Sequence, residues 1–242
     1  MSFQILNLEA VAEYLNFTPA EVEQRVKDRV IPFEKRGDRL IFRKGEIDEW
    51  ASQRIMGFSS DRLVAYHEKS SRRASKLLAH EAILPEMLTA GIIEPHLKSR
   101  TKPAVLHDLV TLADQTGKLN DPKLLRGSLE AREDLCSTGM PGGFAVPHLR
   151  VQEPYLFETS FLVIGRLVRA IYFGAPDDEP TDLFFLLCCQ DDRLHLHTLA
   201  RLCMVAVKTE VLTQLRNAPD AAAMYDALVA AEQEVLAAQK PA

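Results

Sequence analysis

The chain has little of what exported, membrane-bound or metal-clustered proteins need. Its 242 residues contain four cysteines, Cys136, Cys188, Cys189 and Cys203, with no paired C-x-x-C spacing. Cys188-Cys189 sits inside an apolar run that reads as buried strand, so reduced core thiols and no metal site are expected. Every apolar run is far shorter than the ~20 residues a bilayer-spanning helix needs. The opening MSFQILNLEAVAEYL brings acidic residues early and has no basic flank ahead of an apolar core. Neither export nor membrane insertion is expected, and the cytoplasm is the expected compartment. Positive charge is not in excess: 29 Lys and Arg against 34 Asp and Glu leave a formal charge of -5. That balance supplies no global drive toward nucleic acid, so partners must be inferred from local sites.

What is present points to two units. At 242 residues and 47% hydrophobic content the chain exceeds the usual single-domain size and can build a substantial core. Residues 1–55 read as helix, turn, helix, short hairpin, helix. Thr18-Pro19 with Glu21 has the form of a helix start, with Thr18 as N-cap, Pro19 at the first helical position and an acid at the third. Arg36-Gly37-Asp38 separates Phe33 from the alternating Leu40 and Phe42, which suits a small hairpin. Trp50 is expected to anchor the last helix on this small core.

The stretches Leu6 to Leu15, Thr18 to Ile31 and Arg39 to Trp50 resemble the excisionase-like and MerR-like winged helix-turn-helix modules. In such modules the second helix and the wing face a duplex, and phosphate contacts supply much of the affinity. That resemblance makes Arg25, Lys35, Arg36, Arg39 and Arg43 the candidate nucleic-acid contacts, and a homodimer reading paired half-sites becomes an expectation. Residues 1–55 nevertheless carry nine Lys or Arg against ten Asp or Glu, a net of -1. A solvated surface or a protein contact therefore stands beside DNA binding.

Residues 56–81 read as a linker followed by a basic helix, and His67 and His80 there as ordinary packing or surface histidines. Residues 82–236 form the larger unit. ILPEMLTAGII, AVLHDLVTLADQTG and DPKLLRGSLEARED have helical periodicity, with Asp121-Pro122 as a helix entrance. FETSFLVIGRL and DLFFLLCC suit strands of a covered sheet, and helices around Leu194 to Lys208 and Ala221 to Leu236 would cover it. The fold class expected is α/β, a mixed sheet flanked by helices, preceded by the small helix-turn-helix unit.

The chemistry concentrates in REDLCSTGMPGGFAVPH, Arg132 to His148, where a glycine-rich approach delivers one histidine. Neutral imidazole is a nucleophile toward phosphorus, and arginine offers a planar fork to phosphoryl oxygens. Backbone N–H groups around Ser137, Thr138, Gly139, Gly142 and Gly143 are candidates for a phosphate loop. A second imidazole, His195 in DDRLHLHTLARLC, is a candidate to orient the oxygens or set the tautomer of His148. The layout suits phosphate better than metal.

Four pieces, RED-x-x-STG (Arg132 to Gly139), GGFAVPH (Gly142 to His148), IYFGAPDDEPTDLFFLL (Ile171 to Leu187) and HLHTLARL (His195 to Leu202), resemble the fructose- and mannitol-type enzyme IIA domain of the sugar phosphotransferase system, especially its nitrogen-regulatory relatives. The resemblance implies that His148 accepts the phosphoryl group, supported by His195 and Arg132. It implies an HPr-like phosphocarrier as donor, no cofactor, and the enzyme IIA type 2 fold. Transport-type relatives pass the group to an enzyme IIB cysteine. No IIB or membrane-spanning IIC segment is recognisable here, so a regulatory output through an unknown protein or DNA is expected.

Rival readings remain at this level. After His148 stand Leu149 and Arg150 where many relatives have a small residue; either Leu149 narrows access or Arg150 adds positive potential. His195, His197 and a cysteine would be a zinc site only on a strand, and the run reads as helix. His96, His107 and His197 read as surface or packing residues. Cys136-Ser137-Thr138 lacks a nucleophile-elbow pattern, which argues against a hydrolase. The competing functional reading is a degenerate IIA-fold protein that only binds partners.

Overall fold

A computed structural model describes residues 4–59, 61–67, 82–89, 91–153 and 155–238. The first unit runs β1 (Ile5–Leu6), α1 (Leu8–Tyr14), α2 (Pro19–Lys27), β2 (Glu34–Arg36), β3 (Arg39–Arg43) and α3 (Lys44–Met56). Its start signals work as the residues suggest. The Asn7 side chain caps α1, and Thr18 and Glu21 close a reciprocal capping box on α2, with Pro19 beginning the helix. Gly37, at φ +60°, opens the two-residue hairpin loop between Arg36 and Arg39. The sequence reading missed β1, which pairs with β3 to give a three-stranded sheet in the order β1-β3-β2. Trp50 packs edge-on to Phe17 with ring centroids 6.4 Å apart, pinning α3 to the α1–α2 turn.

Residues 61–67 are helical (α4). The remainder of the expected basic helix, including His80, lies outside the described residues. The second unit comprises α5 (Leu84–Thr89), β4 (Ile92–Leu97), α6 (Lys102–Gln115), α7 (Pro122–Leu135), β5 (Gly139–Met140), β6 (Phe144–Ala145), β7 (Phe161–Ile171), β8 (Thr181–Cys188), α8 (Asp192–Lys208), α9 (Val211–Asn217) and α10 (Ala221–Ala238). One helix expected across ILPEMLTAGII is instead the short α5 followed by strand β4. The break falls at Gly91, where a Cβ would lie 1.8 Å from the Leu162 carbonyl oxygen, so only glycine lets the chain turn against β7.

The sheet order is β4-β7-β8-β6-β5, with β4·β7 and β6·β8 parallel and β7·β8 and β5·β6 antiparallel. A mixed α/β fold with a helix-flanked mixed sheet is therefore present. Strand alternation divides its apolar residues between two cores. Leu162, Ile164, Leu183, Phe185 and Leu187 face a cluster shared with α5, α8, α10 and the first unit. Phe161, Val163, Phe184, Leu186 and Cys188 face the cluster under α6 and α7. Cys188, Cys189 and Cys203 are buried free thiols and Cys136 is exposed.

Candidate active site

His148 sits where the β6 line reaches the far end of β8. Phe144 pairs with Leu183, Ala145 with Phe184, and His148 itself bridges Leu187. Pro147 needs no donor on its outer edge, and its carbonyl accepts from Leu187 N at 2.9 Å. The imidazole is thereby fixed on a strand rather than a loose loop. Arg132 projects from the last turn of α7, and His195 from the first turns of α8, which Asp191 caps.

These three side chains converge. The His148 and His195 rings lie 4.9 Å apart between centroids at 44°, and the Arg132 charge acts on both. Exposure is 1% for His148, 2% for His195 and 1% for Arg132. His148 Nδ1 lies 2.7 Å from the Val146 carbonyl. A carbonyl can only accept, so Nδ1 carries the proton and Nε2 holds the lone pair. Burial first, then His195 and Arg132, hold His148 well below the usual histidine pKa, while the Val146 bond opposes them. Burial, with Arg132 and Lys44, pushes His195 down to about 3. Both rings are therefore neutral at physiological pH.

Arg132 Nη1 donates to the Cys136 carbonyl at 2.7 Å. Its Nε and Nη2, together with His148 Nε2 and His195 Nδ1, are buried with no hydrogen-bond partner among the described residues. Native interiors rarely leave such groups unpaired, and a cluster of them is the mark of a site. Two guanidinium donors beside a nucleophilic nitrogen are complementary to an oxyanion bearing an electrophilic centre.

The glycine segment makes several hydrogen bonds within the protein. The Thr138 amide and hydroxyl both donate to the Glu133 carboxylate. Ser137 Oγ donates to the Phe173 carbonyl and accepts from Gly139 N. Gly142 N donates to Asp177, and the Gly143 carbonyl accepts from Asp182 and Leu183. The hairpin tip is level with the start of β8, four residues from the Leu187 that bridges His148, or about 13 Å along the strand. Ser137 and Thr138 thus lead into the β5–β6 hairpin and Gly139, Gly142 and Gly143 lie within it, with the Thr138, Gly139 and Gly142 amides and the Ser137 and Thr138 hydroxyls donating inside the protein. Gly142 and Gly143, at φ +94° and +77°, are needed for its turn.

Leu149 is buried in the α6–α7 core and does not narrow the site. Arg150 pairs with Glu49 at 2.7 Å. His197 stacks on His67 at 4.7 Å, and His67 bonds Arg201 at 2.8 Å, so both are packing residues on the other side of α8 from His195. His96 and His107 lie outside the site; His107 meets Arg126 on the surface. Among the described residues no group of three or more His, Cys, Asp or Glu is placed to hold a metal ion, and no helix is long and apolar enough to cross a membrane. Sequence reasoning missed Val146, whose backbone carbonyl carries no residue signal, and Ser52, whose Oγ makes a long 3.4 Å contact to His195 Nε2 from the other unit.

The model of the phosphoenolpyruvate-dependent sugar phosphotransferase system EIIA 2 family matches residues 60–230. The chain belongs to this EIIA family. A nitrogen regulatory protein of Bradyrhizobium diazoefficiens is 32% identical over 154 residues, 63% of this chain and 92% of the relative. One from Pseudomonas aeruginosa is 29% identical over 60% of this chain and 94% of the relative. The fructose-specific EIIABC component of Bacillus subtilis is 28% identical over 59% of this chain, which spans only 22% of that protein. Crystal structures of Neisseria meningitidis IIA-Ntr and Escherichia coli IIA mannitol share the fold, with TM-scores of 0.54 and 0.50 at 22% and 18% identity. They cover 61% and 56% of this chain and 99% and 94% of their own. A phosphotransfer or signalling role of the EIIA kind follows from this membership. The family match leaves residues 1–59 outside it.

Proposed function

We propose that this EIIA protein is a phosphorylation-responsive regulator whose His148 Nε2 accepts a phosphoryl group from an HPr-like phosphocarrier. The observation that carries the reading is the paired state of one imidazole: Nδ1 is committed to Val146, and Nε2 is unbonded beside the free donors of Arg132. In the transfer the Nε2 lone pair forms the new N–P bond as the carrier's N–P bond breaks. The bonding pair returns to the carrier's imidazole, and the His148 proton stays on Nδ1, hydrogen-bonded to the Val146 carbonyl. Arg132 Nε and Nη2 neutralise charge on the equatorial oxygens of an in-line transition state. His195 is the candidate to orient one of them. Relatives named nitrogen regulatory proteins, matched along 92–94% of their length, favour a regulatory output over transport.

The test is incubation with phosphorylated carrier followed by intact-mass analysis without acid. One phosphoryl adduct is expected in the parent and none in His148→Ala; equal acceptance by His148→Ala would place the site elsewhere. No adduct with any cognate carrier would favour a degenerate binding domain.

The helix, helix, hairpin, helix order of the first unit supports a DNA output, but its charges favour a protein contact. Arg43 and Arg36 are both held by Glu34, at 2.5 and 3.4 Å. Arg25 lies over the Phe17 ring and donates to the Glu21 carbonyl. Lys35 and Arg39 remain exposed, too small a basic face to offset the surrounding acids. The expected homodimer rested on paired half-sites and has no other support. Salt-sensitive duplex binding that weakens in Arg39→Ala would restore the DNA reading.

A further inference from the structure

Helix α3 of the first unit lies across the mouth of the site. Gly45, Glu49 and Ser52 fall at i, i+4 and i+7, one stripe of the helix. All three meet the edge of the site: a Cβ on Gly45 would lie 2.9 Å from Val151 Cγ2, Glu49 pairs with Arg150 at 2.7 Å, and Ser52 reaches His195 at 3.4 Å. Flanking contacts hold the helix there. Lys44 bridges Asp48 at 3.0 Å and Asp192 at the start of α8, and Arg193 pairs with Glu13 at 3.4 Å. Ile47, Ala51 and Ile55 join Leu196, Leu199 and Cys203 of α8 in one apolar cluster. The acceptor nitrogen beneath is sealed from solvent.

That arrangement conflicts with phosphoryl transfer. The donor nitrogen, phosphorus and Nε2 must lie on one line, so the carrier's imidazole has to stand directly beyond the acceptor nitrogen. We infer that α3 is an autoinhibitory plug, and that the docked helix and the phosphoryl group on His148 exclude each other. The inference rests on the reading of His148 as the acceptor. Phosphorylation also acts on the latch: the new dianionic group competes with Glu49 for Arg150 and repels the Glu49 carboxylate. By thermodynamic reciprocity, a partner that binds the first unit only when α3 has lifted shifts the equilibrium toward phosphorylated His148, and phosphorylation strengthens binding of that partner by the same factor.

The test uses the full chain with Gly45→Cys and Val151→Cys, a pair whose closeness suits a disulfide in the docked state. Phosphoryl acceptance from the carrier is followed in the oxidised and reduced forms of this one protein, with each single substitution as control. The oxidised form is expected to accept about 10-fold to 100-fold more slowly, with recovery on reduction. As a reciprocal readout, the reduced thiols should cross-link more slowly after phosphorylation. Equal acceptance by the locked and reduced forms would overturn the plug and leave His148 as the acceptor. Absence of an adduct in the parent, the reduced pair and a latch-weakened Glu49→Ala variant would overturn the acceptor reading and the plug with it.

Discussion

His148 and Val146 are joined by a 2.7 Å hydrogen bond that decides the chemistry of the ring nitrogen on the other side. Because the backbone carbonyl can only accept, the imidazole is held as the Nδ1–H tautomer, and Nε2 keeps its lone pair, as base and nucleophile, within the field of the Arg132 charge. A histidine is most useful for phosphoryl transfer when it is neutral, fixed and facing a cation, and the β6 line, burial and α7 supply one condition each.

The phosphorylated nitrogen is therefore expected to be Nε2. Heteronuclear NMR on ring-labelled, phosphorylated protein should show phosphorus coupling through Nε2, with Nδ1 still protonated; coupling through Nδ1 would contradict the geometry.

Arg132 is expected to separate function from stability. Its guanidinium is buried with two unpaired donors, and burial lowers its pKa. Arg132→Met should lower phosphoryl acceptance by about 100-fold or more. The same change should leave the unphosphorylated fold as stable or about 1 kcal/mol more stable, since an apolar residue of similar length removes an unpaired buried charge. Single-turnover transfer and denaturant melts on one preparation check both halves.

Stability should fall on mild acidification. His148 is held well below the usual histidine pKa, while His195 and His197 are pushed down to about 3 and about 4, chiefly by burial. The unfolded chain takes up protons near pH ~6.5 that the folded protein refuses, so stability is full above that pH and is lost as pH falls through it, by up to about 1.4 kcal/mol per pH unit for each histidine. Asp48, raised to about 6 by burial, and Glu232, also raised, act in the opposite sense at lower pH. The decline should begin just below neutrality and flatten further down. Melting curves at several pH values, repeated on His197→Gln, should show a smaller decline in the variant.

Glu232 is a buried carboxylate outside the site. It is fully buried, pairs with Arg201 at 2.7 Å and accepts from Ile83 and Leu84 N at 3.1 Å. Glu232→Ala should cost about 3–5 kcal/mol, because it removes the carboxylate that balances the buried Arg201 charge and accepts from two buried amides. If denaturant melts showed a loss under 1 kcal/mol, the network would not be holding α5 against α10.

Much of the architecture was legible because local signals and burial agreed. Thr18-Pro19-x-Glu21 and Asp121-Pro122 begin helices where capping chemistry requires, and the alternating apolar residues of β7 and β8 serve the two cores. Strand β4 was misread because Ile92-Ile93 continue the apolar pattern of ILPEMLTAGII, and the close approach of Gly91 to Leu162 is what turns the chain into the sheet. The segment after Arg132 shows a related dependence on tertiary contacts. Its composition permits a phosphate cradle, but the Thr138 amide, the Ser137 hydroxyl and the Gly142 amide go to Glu133, Phe173 and Asp177, partners that tertiary folding supplies.

The sequence by itself determined the helix starts, the strand alternation and, through the family motifs, which arginine and histidines to consider, because these are written in neighbouring residues. Tertiary structure alone decided that Arg132, His148 and His195 meet, which imidazole nitrogen is left bare, and that Glu49 and Ser52 stand over them. Those relations join residues up to 143 positions apart. They depend on how strands register and how one helix docks on another, which no local pattern encodes.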